Sequence, residues 1–293
     1  MNKFITAARL AYCAGLAGMV FPQFFYGEFG ANFFPKWPGL PLVPFWTYLF
    51  TVISLAACIA IAFEKKGRII SLILGGLLLA MYCLGDIPYE LIIDPYNKHL
   101  GSWGDGLKEL ALAGGAFAVA ASFPEDAVAG KSILIKWLEK LIPFGRVFFC
   151  TTMILYGICH FFYTQPISTL VPNWIPGHIF WTYFAGVALI GLGFAIVLRI
   201  RLQIAAMLLG AIILIWLIIL HIPMAIADPW GNKANSIVSS FSALAFIGTA
   251  FVIAGNAFYE KWSVALRHLT SKNSNDNVRP EIPLSSPNGR SFN

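Results

Sequence analysis

The sequence predicts an all-α, polytopic membrane protein, with eight transmembrane helices built as two tandem four-helix bundles. Three observations lead there. The chain is 58% hydrophobic and 12% charged, about half the charge of a soluble domain, where roughly 25% is usual. Its apolar residues form continuous runs of about 20, enough to cross a hydrocarbon core about 30 Å thick. Uncommon residues of the first half also recur, in order, in the second.

A chain of this composition would expose large apolar patches in water. In hydrocarbon every backbone polar group needs an internal partner, which leaves spanning helices or a closed barrel. The runs lack the alternation of barrel strands, so helices are expected. They cover residues 4–27, 44–63, 68–88, 103–122, 144–164, 178–198, 202–226 and 235–258. Residues 1–122 are thus the first four-helix unit, 123–143 a cytoplasmic linker, 144–258 the second unit and 259–293 a cytoplasmic tail. From about residue 270 the tail is polar and proline-punctuated, a composition expected to be disordered.

Charge sets the expected orientation. With the N-terminus inside, 16 of the 20 lysines and arginines fall on the cytoplasmic side, and Lys36, Lys98, Lys108 and Lys233 fall opposite. This is the positive-inside pattern, and it puts both termini in the cytoplasm. The net charge of +6 is then an orientation signal and not a footprint for nucleic acid. Arg9 and Arg146 open their spans and are expected to snorkel to lipid headgroups. In KSILIKWLEKLI (131–142), Ile133, Leu134, Trp137, Leu138, Leu141 and Ile142 share one helical face, with Lys136, Glu139 and Lys140 on the other. Such a segment is expected to lie on the cytoplasmic membrane surface.

The repeat organises the rest. At an offset of 137, Arg9 meets Arg146, Cys13 meets Cys150, Phe24-Phe25-Tyr26 meets Phe161-Phe162-Tyr163, and Pro35-Lys36-Trp37 meets Pro172-Asn173-Trp174. At 135, Phe45-Trp46-Thr47-Tyr48 meets Phe180-Trp181-Thr182-Tyr183, and Asp86-Ile87-Pro88 meets His221-Ile222-Pro223; one more step pairs Asp94-Pro95 with Asp228-Pro229. Each unit has an even number of expected spans, so both copies insert the same way up. The first apolar run matches the fifth, which makes it a retained span and not a leader.

The second unit resembles the DoxX-like family of bacterial membrane proteins. The resembling stretches are GICHFFY (157–163), VPNWIPGHIFWTYFAGVALIGLGFAIVL (171–198) and HIPMAIADP (221–229), within about 145–258. The first unit resembles a diverged copy, with Gln23 where His160 stands and Asp86 where His221 stands. The resemblance implies a four-helix membrane bundle per unit, in the bacterial cytoplasmic (inner) membrane. It also implies redox work: the family includes the membrane part of a thiosulfate:quinone oxidoreductase and partners of oxidative-stress enzymes.

Polar groups inside a membrane are costly, so each is a functional candidate. His160 and His221 fall near the outer ends of spans five and seven, at similar depth. Two readings stand. They form a paired-histidine site for a proton-coupled ligand such as a quinone headgroup, or for a metal, or else each imidazole bonds a carbonyl freed by proline, at Leu84 below Pro88 and at Ile219 below Pro223. Trp174, Trp181 and Tyr183, with Asp86 and Gln23 from the first unit, complete the candidate ligand-binding set. The two P-x-W loops either belong to the aromatic belt or roof a cavity. Asp86, Glu90, Asp94, Asp105, Glu109 and Asp228 either face water at the outer surface or form an acidic vestibule.

No metal is expected, because too few hard ligands converge, and no cofactor is indicated beyond a quinone. The five cysteines form no C-x-x-C pair and are expected to be small buried side chains. The chain carries no phosphate-binding G-x-x-x-x-G-K-[ST], no serine elbow and no H-E-x-x-H. Three functions follow as expectations: a redox-associated subunit that binds a quinone or similar amphiphile and meets a soluble redox partner protein, a non-catalytic scaffold or assembly factor, and a small-solute carrier.

Overall fold

A computed structural model describes residues 3–30, 33–96, 98–125 and 132–276, with side chains as far as Glu260. Residues 126–131 of the expected linker and 277–293 of the expected tail lie outside the described residues. Every regular element described is helical. In order they are α1 (Lys3–Val20), α2 (Val43–Ala62), α3 (Gly67–Ile92), α4 (Gly104–Ala121), α5 (Ile133–Glu139), α6 (Gly145–Phe162), α7 (His178–Val197), α8 (Leu202–Ala227) and α9 (Gly231–Asp276). Residues Met1–Ala257 make one compact unit, and those from Phe258 onward a second whose backbone is helical as far as Asp276.

Among the described residues, seven helices are long and apolar enough to cross a membrane: α1, α2, α3, α6 with the α5 segment before it, α7, α8 and α9. Large apolar side chains point outward from them, among them Phe63 (72% exposed), Leu84 (77%) and Ile226 (76%). Surfaces of this kind are stable against lipid and not against water. The protein is a multi-pass membrane protein in contact with the bilayer.

The fourth expected span, α4, is of another kind. Asp105, Lys108 and Glu109 in its first two turns leave it less apolar than the rest. Fourteen of its 18 residues are buried, so protein and not lipid surrounds it. Its carbonyls receive side-chain donors from four helices, among them α3, whose Arg68 Nη1 donates to Ala120 (3.4 Å). The Tyr12 hydroxyl of α1 donates to Leu112 (2.8 Å), Thr152 and Tyr156 of α6 donate to Leu107 and Gly104 (both 2.7 Å), and Asn256 of α9 donates to Ala118 (2.9 Å). Glycine lets backbones touch. A Cβ on Gly114 would lie 2.7 Å from the Phe149 amide nitrogen, and one on Gly145 would lie 2.8 Å from the Gly114 carbonyl oxygen.

The two halves do not stand as separate bundles. The fourth helix of the first half, α4, packs on the first helix of the second half, α6. In exchange α9 packs on α1, where Gly248 meets the Tyr12 backbone and Gly15 meets that of Ala245. One apolar core therefore runs through both halves, from Tyr12, Leu16 and Met19 to Phe149, Met153 and Phe246.

The repeat itself recurs in the backbone. Helices α2 and α7 are both 20 residues long and start 135 apart. A five-residue π turn interrupts α3 at Tyr82–Asp86 and α8 at Leu217–His221, again 135 apart. Left-handed residues at Glu64 and Lys66 match those at Arg199 and Arg201 in the next tight turn. In both halves proline follows two residues after the π turn, which accommodates the bond proline cannot make.

Two expectations at the end where α1 begins need correcting. Arg9 does not snorkel. It is 2% exposed, its Nη1 lies 3.3 Å from Glu64 Oε1, and its guanidinium sits 4.0 Å from the Phe123 ring centroid. The turn between α2 and α3 supplies the carboxylate, so the charge is neutralised within the fold. Arg9→Leu is expected to lower stability by about 1–3 kcal/mol, measured as a shift of the thermal unfolding midpoint in mild detergent; an unchanged midpoint would refute that role. Helix α5, capped by the Ser132 hydroxyl accepting from the Ile135 amide (3.3 Å), is apolar on two sides. Ile135 and Leu138 are buried on Leu72, Phe117 and Ala120, while Ile133, Leu134 and Trp137 are exposed. Only part of the expected apolar face is left for lipid.

Candidate functional site

Helices α4, α6, α7, α8 and α9 border a half-open cavity of about 310 Å³ whose wall is mostly apolar. His160 and His221 both line it, one from α6 and the other from the last residue of the π turn in α8. Trp181 and Thr182 line it from α7. Lys108 reaches it from α4, paired with Asp105 one turn away at 2.8 Å. The His160 Nδ1 lies 2.7 Å from the Tyr156 carbonyl oxygen. A carbonyl only accepts, so Nδ1 carries the proton and Nε2 is the acceptor that a neutral ring offers.

The repeat shows what stands at the matched positions in the first half. Its offsets place Phe33 on Leu170, Phe34 on Val171 and Phe50 on Ala185, and the last of each pair lines the cavity. In the first half Phe33 and Phe50 are buried with ring centroids 5.3 Å apart, and Phe29 packs on both Phe34 (5.3 Å) and Phe50 (5.9 Å). Aromatic rings fill there what smaller side chains leave open in the second half.

The other candidate residues are dispersed. Trp174 is 73% exposed in its loop. Tyr183 stacks on Phe161 with ring centroids 5.4 Å apart and does not line the cavity. Gln23 is buried in the first half, where its Oε1 accepts from the Thr51 hydroxyl (2.8 Å). Asp86 is buried there too, against Gly106 of α4.

The P-x-W loops behave differently from one another. Trp37 donates its indole N–H to the Gly85 carbonyl within the first π turn (3.2 Å) and packs on Tyr89, so that loop does close over its half. The matching π turn of α8 is met instead by the Ser240 hydroxyl, donating to the His221 carbonyl (2.9 Å). His160 bonds no proline-freed carbonyl; its Nδ1 meets the Tyr156 carbonyl of its own helix.

The acidic candidates do not all face water. Asp105 pairs with Lys108, and the Asp228 carboxylate accepts from the Gly231 amide (2.9 Å). The Tyr96 amide, donating at 2.9 Å, holds the exposed Asp94 carboxyl below its ordinary range. Asp86 and Glu109 are buried.

Three site residues escaped the sequence reading: Lys108, Tyr156 and Thr182. Of these, Lys108 had a signal, because it is the one lysine of the outer set that falls inside an apolar run. Among the described residues no group of three His, Cys, Asp or Glu comes together to hold a metal ion. No protein-family model, curated protein or solved structure matches the chain.

Proposed function

We propose that the protein is an eight-span integral membrane protein of DoxX-like type that binds a quinone or a similar amphiphile in the second-half cavity. One observation carries the reading: the two positions where a histidine replaces Gln23 and Asp86 of the first half both line a single apolar cavity. Pockets for small molecules are mostly apolar, with a few polar groups that orient the ligand. Here Leu189, Ile213 and Phe246 offer a wall for an isoprenoid chain. His160 accepts a hydroxyl through Nε2, and Lys108 donates to a carbonyl oxygen. A headgroup held between an acceptor and a donor is recognised in both its hydroxyl and carbonyl forms, as redox work with a soluble partner protein requires.

In this reading α4 counts as the eighth span, since its 18 residues rise about 27 Å at the helical 1.5 Å per residue. The lysine and arginine bias supports both termini in the cytoplasm of a bacterial inner membrane. The test is equilibrium binding of a short-chain quinone to the purified protein, with mass spectrometry of lipids and quinones that co-purify in mild detergent. His160→Leu and His221→Leu are each expected to weaken binding at least about tenfold, or about 1.4 kcal/mol, with unfolding midpoints unchanged. Wild-type affinity in both variants refutes the two histidines as headgroup contacts.

A further inference from the structure

Helix α4 carries a second polar group, on a face turned away from the cavity. One residue past Lys108, Glu109 is 0% exposed and meets the carboxyl group of Asp86, the last residue of the π turn in α3. Asp86 packs on Gly106, one turn before Glu109, where a Cβ would lie 2.9 Å from the Asp86 Cβ and 3.1 Å from its Oδ1. Neither oxygen of Glu109 nor Oδ2 of Asp86 receives a hydrogen bond from the described residues. The titratable groups facing the pair are Tyr82, Cys83 and Glu90 on α3 and Asp105 on α4, the last already held by Lys108.

None of these neighbours is a cation free to neutralise two negative charges. An ionised carboxylate only accepts hydrogen bonds. Two in contact, out of water, repel each other while each loses its hydration. The contact therefore needs a donor between the oxygens, and the donor that fits without moving either helix is a proton on one of them. A hard divalent cation fits worse, since calcium or magnesium takes about six oxygens or more. A π turn inside a spanning helix is a frequent mark of a functional position, and this one ends on Asp86. In the second half the matching residues are His221 and Ala243, so the pair belongs to the first half alone.

We propose that Asp86 and Glu109 form a site that holds one exchangeable proton inside the membrane. It stands independently of the quinone reading, because neither residue lines the cavity. The test is modification of the full-length protein in mild detergent by dicyclohexylcarbodiimide, read by peptide mass spectrometry. The reagent is apolar and adds to a protonated carboxyl, whose proton passes to a carbodiimide nitrogen as the oxygen bonds to its central carbon; an ionised carboxylate does not react. Asp86 or Glu109 is expected to be labelled, at most once per chain, and the labelling is expected to fall at least about tenfold as pH rises from mildly acidic to strongly alkaline.

Asp86→Asn and Glu109→Gln are each expected to remove label from the residue left behind, because the new amide donates to that carboxylate and keeps it ionised. The infrared C=O stretch of a protonated carboxylic acid, present in the wild type and lost in either variant, reads the same proton without any reagent. Absence of both label and band from the wild type overturns the proposal. So does labelling that sodium ions suppress and pH leaves unchanged, since the site then holds a metal cation.

Discussion

Leucine at Gly114 is expected to cost more than about 3 kcal/mol, the upper end of ordinary overpacking, and to leave little folded protein in detergent. At most buried positions a larger side chain meets other side chains, which rotate away. At Gly114 the added atoms meet backbone, the Phe149 amide nitrogen at 2.7 Å, with the Phe148 Cβ at 3.1 Å. Backbone in a helix yields only if the whole helix moves, and α6 is held to α4 by the Thr152 and Tyr156 hydrogen bonds. The measurement is the unfolding midpoint in a mild detergent under added denaturing detergent, compared with Gly191→Leu, a glycine whose Cβ would meet open space. Equal midpoints for the two variants would remove the α4–α6 contact as the centre of stability.

The second large effect concerns the ligand and not the fold. Val171→Phe combined with Ala185→Phe writes first-half residues into the second half, at positions matched to Phe34 and Phe50. Because that framework already accommodates those rings, the double variant is expected to lose no more than about 1–3 kcal/mol of stability. The cavity of about 310 Å³ is expected to close, and quinone binding to fall by at least about a hundredfold, or about 2.7 kcal/mol. Comparison with the histidine variants separates two ideas. Loss in the filled variant alone assigns affinity to the apolar wall, and loss in both assigns it to wall and headgroup together. Retained binding in the filled variant rules out the cavity as the site.

Much of the architecture was legible because the hydrophobic effect writes it in long runs. Seven spanning helices follow from run length and hydropathy, and the repeat offset of 135 matches α2 with α7 and α3 with α8. What escaped was the role of α4. Its alanines and glycines look like a weak span in sequence, whereas in the fold they are the small side chains that an inner helix needs on every face. Arg9 escaped for a related reason: a positive residue at a span's end is at home beside headgroups, and nothing in its own segment announces Glu64 and Phe123.

The candidate site was half legible. His160 and His221 stood out because an intramembrane imidazole is rare, and they line one cavity. Trp174 and Tyr183 were drawn in by aromatic character alone, which serves the interface equally well. Asp86 and Gln23 were identified by their place in the repeat, yet the repeat conserves position and not pocket. In the first half the rings of Phe33, Phe34 and Phe50 stand where Leu170, Val171 and Ala185 line the cavity of the second.

The exchange of helices between halves bears on how the chain is made. As it leaves the ribosome, the first unit emerges complete in sequence but not in contacts. Its α4 still lacks the Thr152 and Tyr156 donors, and its α1 has no Gly248 to lie against. The insertion machinery must therefore shelter the charged start of α4 until α6 is synthesised, and α1 until α9 arrives. A chain that stops short of α9 leaves the glycine face of α1 without the backbone it lies against.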